Sequence, residues 1–161
     1  MLWSLVIDQY HPEYDCSRNS YIQSETSVFY FSAKDINSNM LRLTSQAMSA
    51  VISGCDALNI HPFNSDPEDE FSNRISRNIQ LILKEEAAMD KVADPAGGSY
   101  FMEELTQQLA EAAWKLFKEI EKEGGFISAL KKGIIQKEIS KSAEEKKAAF
   151  KTGKIILTGV N

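Results

Sequence analysis

Cysteine and histidine are scarce in this chain, and each shortage removes a class of chemistry. Cys16 and Cys55 are the two cysteines; they show no metal-type spacing and are too few for a disulfide framework. A reducing cytoplasm is the compartment expected for such a chain. His11 and His61 are the two histidines; His11 has no carboxylate or cysteine at ligand spacing, and no metal site is expected. An excess of basic charge is also missing. The formal net charge is -5, whereas a general nucleic-acid binder needs a net basic face. No apolar run approaches the roughly 20 residues that span a bilayer. The opening Met1-Leu2-Trp3-Ser4-Leu5-Val6-Ile7 is short, lacks a basic leader and soon meets Asp8, which is neither a secretory signal nor a transit peptide. Internal repeats and low-complexity segments are absent too. Nucleic acid and membrane are therefore excluded as expected partners.

What is present reads as one ordinary globular unit: 161 residues, 43% hydrophobic and 25% charged. Leu2, Val6 and Ile7 with Trp3 and Tyr10 sit at helical spacing until His11-Pro12, where proline stops the pattern. Residues 1–10 thus read as the tail of a helix, an odd opening that suggests missing chain upstream. Residues 20–28 alternate loosely and favour a strand. Asp35 and Asn37 offer caps for a helix whose stripe is Met40, Leu41, Thr44, Ala47, Met48, Val51 and Ile52, closed by Gly54. Residues 57–60 read as a short buried strand before His61-Pro62. Strand, helix and strand make a βαβ unit with parallel pairing.

A further helix is expected to start at Asp66 as cap and Pro67 as first residue, followed by Glu68, Asp69 and Glu70. Its buried face is Phe71, Ile75, Ile79, Ile82 and Leu83. Asp94-Pro95-Ala96-Gly97-Gly98-Ser99 breaks the chain. A long helix then carries Leu105, Leu109, Ala112, Leu116 and Ile120 to Gly124-Gly125; helices near residues 126–132 and 134–150 follow, and Ile155-Ile156-Leu157 is expected as a last strand. Two or three strands against five or six helices is an unbalanced inventory. An isolated parallel pair is not independently stable, because such strands are normally covered on both faces.

Several residues invite chemical readings. His61 stands at a strand end, where barrel enzymes place catalytic groups; a plain loop histidine is the ordinary alternative and is preferred. Glu25 would serve as a general base if buried, but with no partner identifiable a solvated or cap-bonded carboxylate is preferred. The turn at residues 94–99 has the composition of an anion nest, yet no lysine follows it as in a phosphate loop, so a tight turn with Ser99 capping is expected. The basic tail (Lys131, Lys132, Lys137, Lys141, Lys146, Lys147, Lys151, Lys154) is interleaved with Glu138, Glu144 and Glu145 and reads as a solvated helix face. Trp114 and Phe117 read as core.

The chain resembles the methylmalonyl-CoA mutase family. The residues that carry the resemblance are Asn39-Met40-Leu41-Arg42, Gln46-Ala47-Met48-Ser49-Ala50 and Gly54-Cys55-Asp56-Ala57-Leu58. Asp69-Glu70-Phe71-Ser72-Asn73-Arg74-Ile75-Ser76-Arg77-Asn78-Ile79-Gln80, Lys84-Glu85-Glu86, Asp94-Pro95-Ala96-Gly97-Gly98-Ser99-Tyr100 with Glu104-Leu105-Thr106, and the closing Gly159-Val160-Asn161 complete it. The resemblance implies an α/β fold: the last units of a partial (β/α)8, or TIM, barrel over residues 1–95, and a helical extension over 96–161. It implies a fragment of a longer chain, since the family's cobalamin-binding D-x-H-x-x-G loop is absent. The family isomerises methylmalonyl-CoA to succinyl-CoA, with adenosylcobalamin supplying the radical.

Catalytic chains of the family read approximately H-S-Q-T-S-G-W where this one reads Gln23-Ser24-Glu25-Thr26-Ser27-Val28-Phe29. The residues facing substrate and adenosyl group are replaced by Gln23 and Glu25, and the glycine and tryptophan under the corrin by Val28 and Phe29. An acidic loop position of the family is Ser65 here. Gln23, Glu25, Val28, Phe29 and Ser65 are thus degenerate site-facing positions, and the resemblance is to the small, non-catalytic subunit of the bacterial heterodimeric enzymes. It implies a scaffolding role, no cofactor bound by this chain, and a catalytic large subunit and the missing amino-terminal half of the barrel as partners. Unpaired strand edges make self-association an expectation as well. The alternative is a segment of a catalytic mutase chain that contributes substrate or cobalamin contacts.

Overall fold

In the computed structural model, residues 2–64, 66 and 68–160 are described. Their elements are helix α1 (Leu2–Asp8), strand β1 (Gln23–Glu25), helix α2 (Ser38–Ile52), strand β2 (Ala57–Asn59), and helices α3 (Glu70–Leu81), α4 (Tyr100–Lys122), α5 (Phe126–Lys131) and α6 (Ile134–Lys151). Short 3-10 turns cover Asp15–Arg18 and Val28–Tyr30, and a wide π turn, Ile82–Glu86, continues α3. The chain is helix-rich with a small parallel sheet, and so of the α/β class. It divides into two compact units, Met1–Arg18 with Ser99–Ile156, and Asn19–Gly98 with Leu157–Asn161.

The second of these holds the βαβ unit expected from sequence. β1 pairs with β2 in parallel, Gln23 opposite Ala57 and Glu25 opposite Asn59. The pair is sealed at its start by Asp56, whose Oδ2 accepts from the Ile22 amide at 2.7 Å while its own amide donates to the Ile22 carbonyl at 2.9 Å. The core is Leu43, Ala47, Ile60, Phe63, Ile79 and Leu83, with Phe31, Met40, Val51, Leu58, Ile75 and Met89 packed around it.

Five expectations are corrected here. The first strand is shorter than residues 20–28, because the Ser27 hydroxyl accepts from the Phe29 amide and opens a 3-10 turn. The buried face of α2 is centred on Asn39, Leu43 and Ala47 rather than on the wider stripe, and Leu41 and Met48 face outward. α3 starts at Glu70. Asp69 is its cap, accepting from the Phe71 amide at 3.1 Å, whereas Asp66 bonds the Glu68 amide in the preceding turn; Pro67 lies outside the described residues. Ile155-Ile156-Leu157 forms no strand: the Ile155 amide donates to the Ala149 carbonyl in the turn that ends α6. On the α3 face, Ile79 and Leu83 are buried and Ile75 packs against the core, but Phe71 and Ile82 are exposed.

In the other unit, α1 is tied to the turn after it. Trp3 Nε1 donates to the Ser17 carbonyl at 3.3 Å, Ser4 Oγ to the Arg18 carbonyl at 3.0 Å, and Arg18 Nε lies 2.7 Å from Asp8 Oδ1. Ser99 occupies the N-cap of α4 but makes no side-chain cap bond, which corrects the expected cap. Trp114 and Phe117 stack at 5.2 Å yet remain partly exposed, so they do not form the buried core the sequence suggested. Ala129 of α5 is fully buried.

Candidate functional site

A polar cluster crosses the carboxyl ends of the two parallel strands, the edge at which open α/β sheets place their ligands. Glu25 ends β1 and Asn59 ends β2, so the parallel register puts them opposite one another. Glu25 Oε1 accepts from Asn59 Nδ2 at 2.8 Å and lies 2.8 Å from His61 Nε2. The imidazole must carry its proton on Nε2 to donate to this oxygen, or both nitrogens carry one. This corrects the expectation of a Glu25 without a partner.

The imidazole is held by its backbone from both sides. Buried Thr26 accepts from the His61 amide through Oγ1 at 2.9 Å, while the Thr26 amide donates to the Asn59 carbonyl at 3.0 Å. The His61 carbonyl accepts from Ser76 Oγ at 3.0 Å. One helical turn before, Ser72 Oγ accepts from the Asn64 amide at 3.1 Å. Ser72 and Ser76 are four residues apart on one face of α3, and both are buried. They tie the loop after β2 to that helix.

The following segment is positioned from α2. Gln46 Oε1 accepts from the Ser27 amide at 2.7 Å, and Gln46 Nε2 donates to the Ser27 carbonyl at 3.4 Å. This clamp presents the 3-10 turn with Val28 and Phe29, which are 55% and 69% exposed. Phe29 meets the edge of Tyr30 at 5.0 Å. Gln23 lies at the start of β1, exposed, and two residues before Glu25 it shares that strand face. Glu25 and His61 are therefore brought together, Gln23 shares a face with Glu25, and Val28 and Phe29 follow on the next turn. Ser65 lies outside the described residues.

Asn59 also lines an open groove of about 1100 Å³ with Pro62, Asp69, Phe71, Arg74 and Arg77. The Arg74 guanidinium sits 5.5 Å from the Phe71 ring centre, and Phe71 meets Phe63 edge-on at 5.9 Å. Chemically, the cluster offers a carboxylate-oriented imidazole beside a carboxamide. Glu25 and His61 side chains are 54% and 38% exposed, so water screens their attraction.

A second, buried network lies below. Asn39 Nδ2 donates to the Ser32 carbonyl at 3.1 Å and the Phe63 carbonyl at 3.2 Å; its Oδ1 accepts from the Ser32 amide at 3.0 Å and from Arg42 Nη1 at 2.8 Å. Arg42 Nη2 in turn donates to the Thr158 carbonyl. Asp35 accepts from both the hydroxyl and the amide of Ser38. The Ser38 hydroxyl first and its amide second hold the Asp35 carboxyl below its ordinary value of 3.8 against the opposing effect of desolvation, with a weaker contribution from the Arg42 charge. Asn59, Thr26, Gln46, Ser72 and Ser76 were not singled out from sequence. Only the βαβ register, which sets position 25 against 59, would have signalled the first of them.

A family model described as methylmalonyl-CoA mutase matches residues 1–161. The methylmalonyl-CoA mutase small subunit of Porphyromonas gingivalis is 38% identical over 99% of this chain and 26% of its own length. The methylmalonyl-CoA mutase of Rhizobium meliloti is 37% identical over 100% of the chain and 23% of its own. The large subunit from Propionibacterium freudenreichii subsp. shermanii is 36% identical over 100% of the chain and 22% of its own. The chain spans about a quarter of the length of these relatives.

Proposed function

The chain belongs to the methylmalonyl-CoA mutase family, and on that premise we propose that it serves as a scaffolding segment of a small, non-catalytic mutase subunit. In this reading it supplies the last strand–helix units of a partial TIM barrel together with the helical extension that follows. Chain outside these residues completes the barrel, a catalytic large subunit docks beside it, and the assembly works in the cytoplasm of a bacterium. The whole enzyme isomerises methylmalonyl-CoA to succinyl-CoA with adenosylcobalamin; this chain alone does not.

The observation that carries the reading is the pair Val28 and Phe29 on the turn just beyond the strand ends. A glycine permits close approach of a flat macrocycle, and a β-branched side chain in its place fills that space. Glu25 is already engaged by Asn59 and His61. These residues do not fit a corrin ring. Titrating the chain with adenosylcobalamin while following its visible spectrum tests this. No saturable change is expected; a saturable one would sink the scaffolding role. Mixing with a catalytic mutase chain should give a stable complex, and its absence counts equally against the proposal.

A second reading, a segment of a catalytic chain with substrate or cobalamin contacts, draws on the 36% identity to a large subunit, nearly that to the small one. The same titration separates the two.

A further inference from the structure

Helix α4 leaves an apolar stripe open along its length. Met102, Leu105, Leu109, Ala112 and Leu116 recur at alternating steps of three and four, which places them on one side of the helix. None of the helix's residues is buried, and Leu109 and Leu116 are 62% and 55% exposed. The groove that α4 shares with α1, lined by Leu5, Val6, Ala110 and Trp114, lies on the other side and leaves the stripe uncovered.

One border of this stripe is charged in an ordered way. Glu104, Glu111, Lys115 and Lys122 are spaced i, i+7, i+11 and i+18, which at about 100° per residue aligns all four within roughly 40°. Gln108 and Gln107 steady the two carboxylates with bonds of 2.7 Å, and among the described residues none of the four charges is in an intrachain ion pair. Read backwards, acid-acid-base-base becomes base-base-acid-acid. The border is therefore complementary to itself, but only in the antiparallel sense, which alone sets a helix border against the same border of a copy.

We propose that α4 is a self-pairing surface that seats the α4 helix of a second copy, antiparallel, about a twofold axis near Ala113. Glu104 then faces Lys122 of the copy and Glu111 faces its Lys115, and each pair occurs twice by symmetry. Ala112 and Ala113 stand at the crossing, where small side chains let helices approach at the close end of the usual 8–10 Å. Met102, Leu105, Leu109 and Leu116, between 39% and 62% exposed, supply the apolar part of this surface. Ala112, Ala113 and the stems of the border charges add to it, toward the roughly 800 Å² per partner of a stable interface. The proposal rests on α4 alone and is independent of the role given to Val28 and Phe29.

Sedimentation of the full chain under reducing conditions provides the test. The native chain should dimerise with rising concentration. The double variants Lys115→Glu/Lys122→Glu and Glu104→Lys/Glu111→Lys should each weaken the dimer by about tenfold or more, and an equimolar mixture of the two should restore it. In a Cys16→Ser/Cys55→Ser background, Ala113→Cys should be joined to its copy by a short bismaleimide, and Thr106→Cys should not. A native chain monomeric at every concentration overturns the proposal. So does a dimer indifferent to charge reversal, which would place the contact at the strand edges, or a monomer whose α4 captures a catalytic mutase chain instead.

Discussion

Asn39 satisfies four polar groups from one buried side chain, and this makes it the residue on which the loops around the core depend. Removing its amide leaves the Ser32 amide and the Ser32 and Phe63 carbonyls without those bonds in a dry site, at a cost of about 1–3 kcal/mol for a buried group left unsatisfied. Asn39→Ala should therefore lower stability by about 2–4 kcal/mol, measured by urea unfolding. Asp35 makes a different kind of prediction. Its folded value is depressed by Ser38 and Arg42, so its contribution is full above the ordinary 3.8 and is lost as pH falls through the lower folded value. Urea midpoints measured through that acid window should fall less steeply for Asp35→Asn than for the native chain. An unchanged slope would remove Asp35 from the account.

At the scale of elements, the face that α2 turns to the core decides its energetics. Leu43 is fully buried and Leu41 is 74% exposed, although they are two residues apart. Leu43→Ala should cost about 2–5 kcal/mol, whereas Leu41→Ala should stay within about 0.5 kcal/mol; equal effects in thermal melts would mean the face is misassigned. This contrast also marks what the sequence could and could not tell. Apolar residues occur almost all round this helix, so periodicity alone did not centre the stripe, and buried Asn39 looks polar until its partners are known. The βαβ order and the parallel pairing were legible because strand formers flank a periodic helix. The start of α3 was legible only to within a few residues, since Asp66 and Asp69 are both good caps and the bonds each makes decide between them. Glu25 and His61 were each noticed, but their pairing was not, because it depends on strand register rather than on spacing along the chain.

At the scale of the molecule, the two compact units are not consecutive in sequence. Residues 157–161 belong with residues 19–98, and the link is concrete. The Arg42 guanidinium, braced on Asn39, also reaches the Thr158 carbonyl. A Cβ on Gly159, at φ +78°, would come within 2.6 Å of Asp35 Oδ2, so the backbone there runs close against the start of α2. Arg42 and Thr158 are 116 positions apart. During synthesis at about 5–20 residues per second, the guanidinium is made roughly 6–23 s before its last acceptor. Through that interval Arg42 is a cation still short of one carbonyl. The nascent chain must carry this contact open while every helix from α3 to α6 is made.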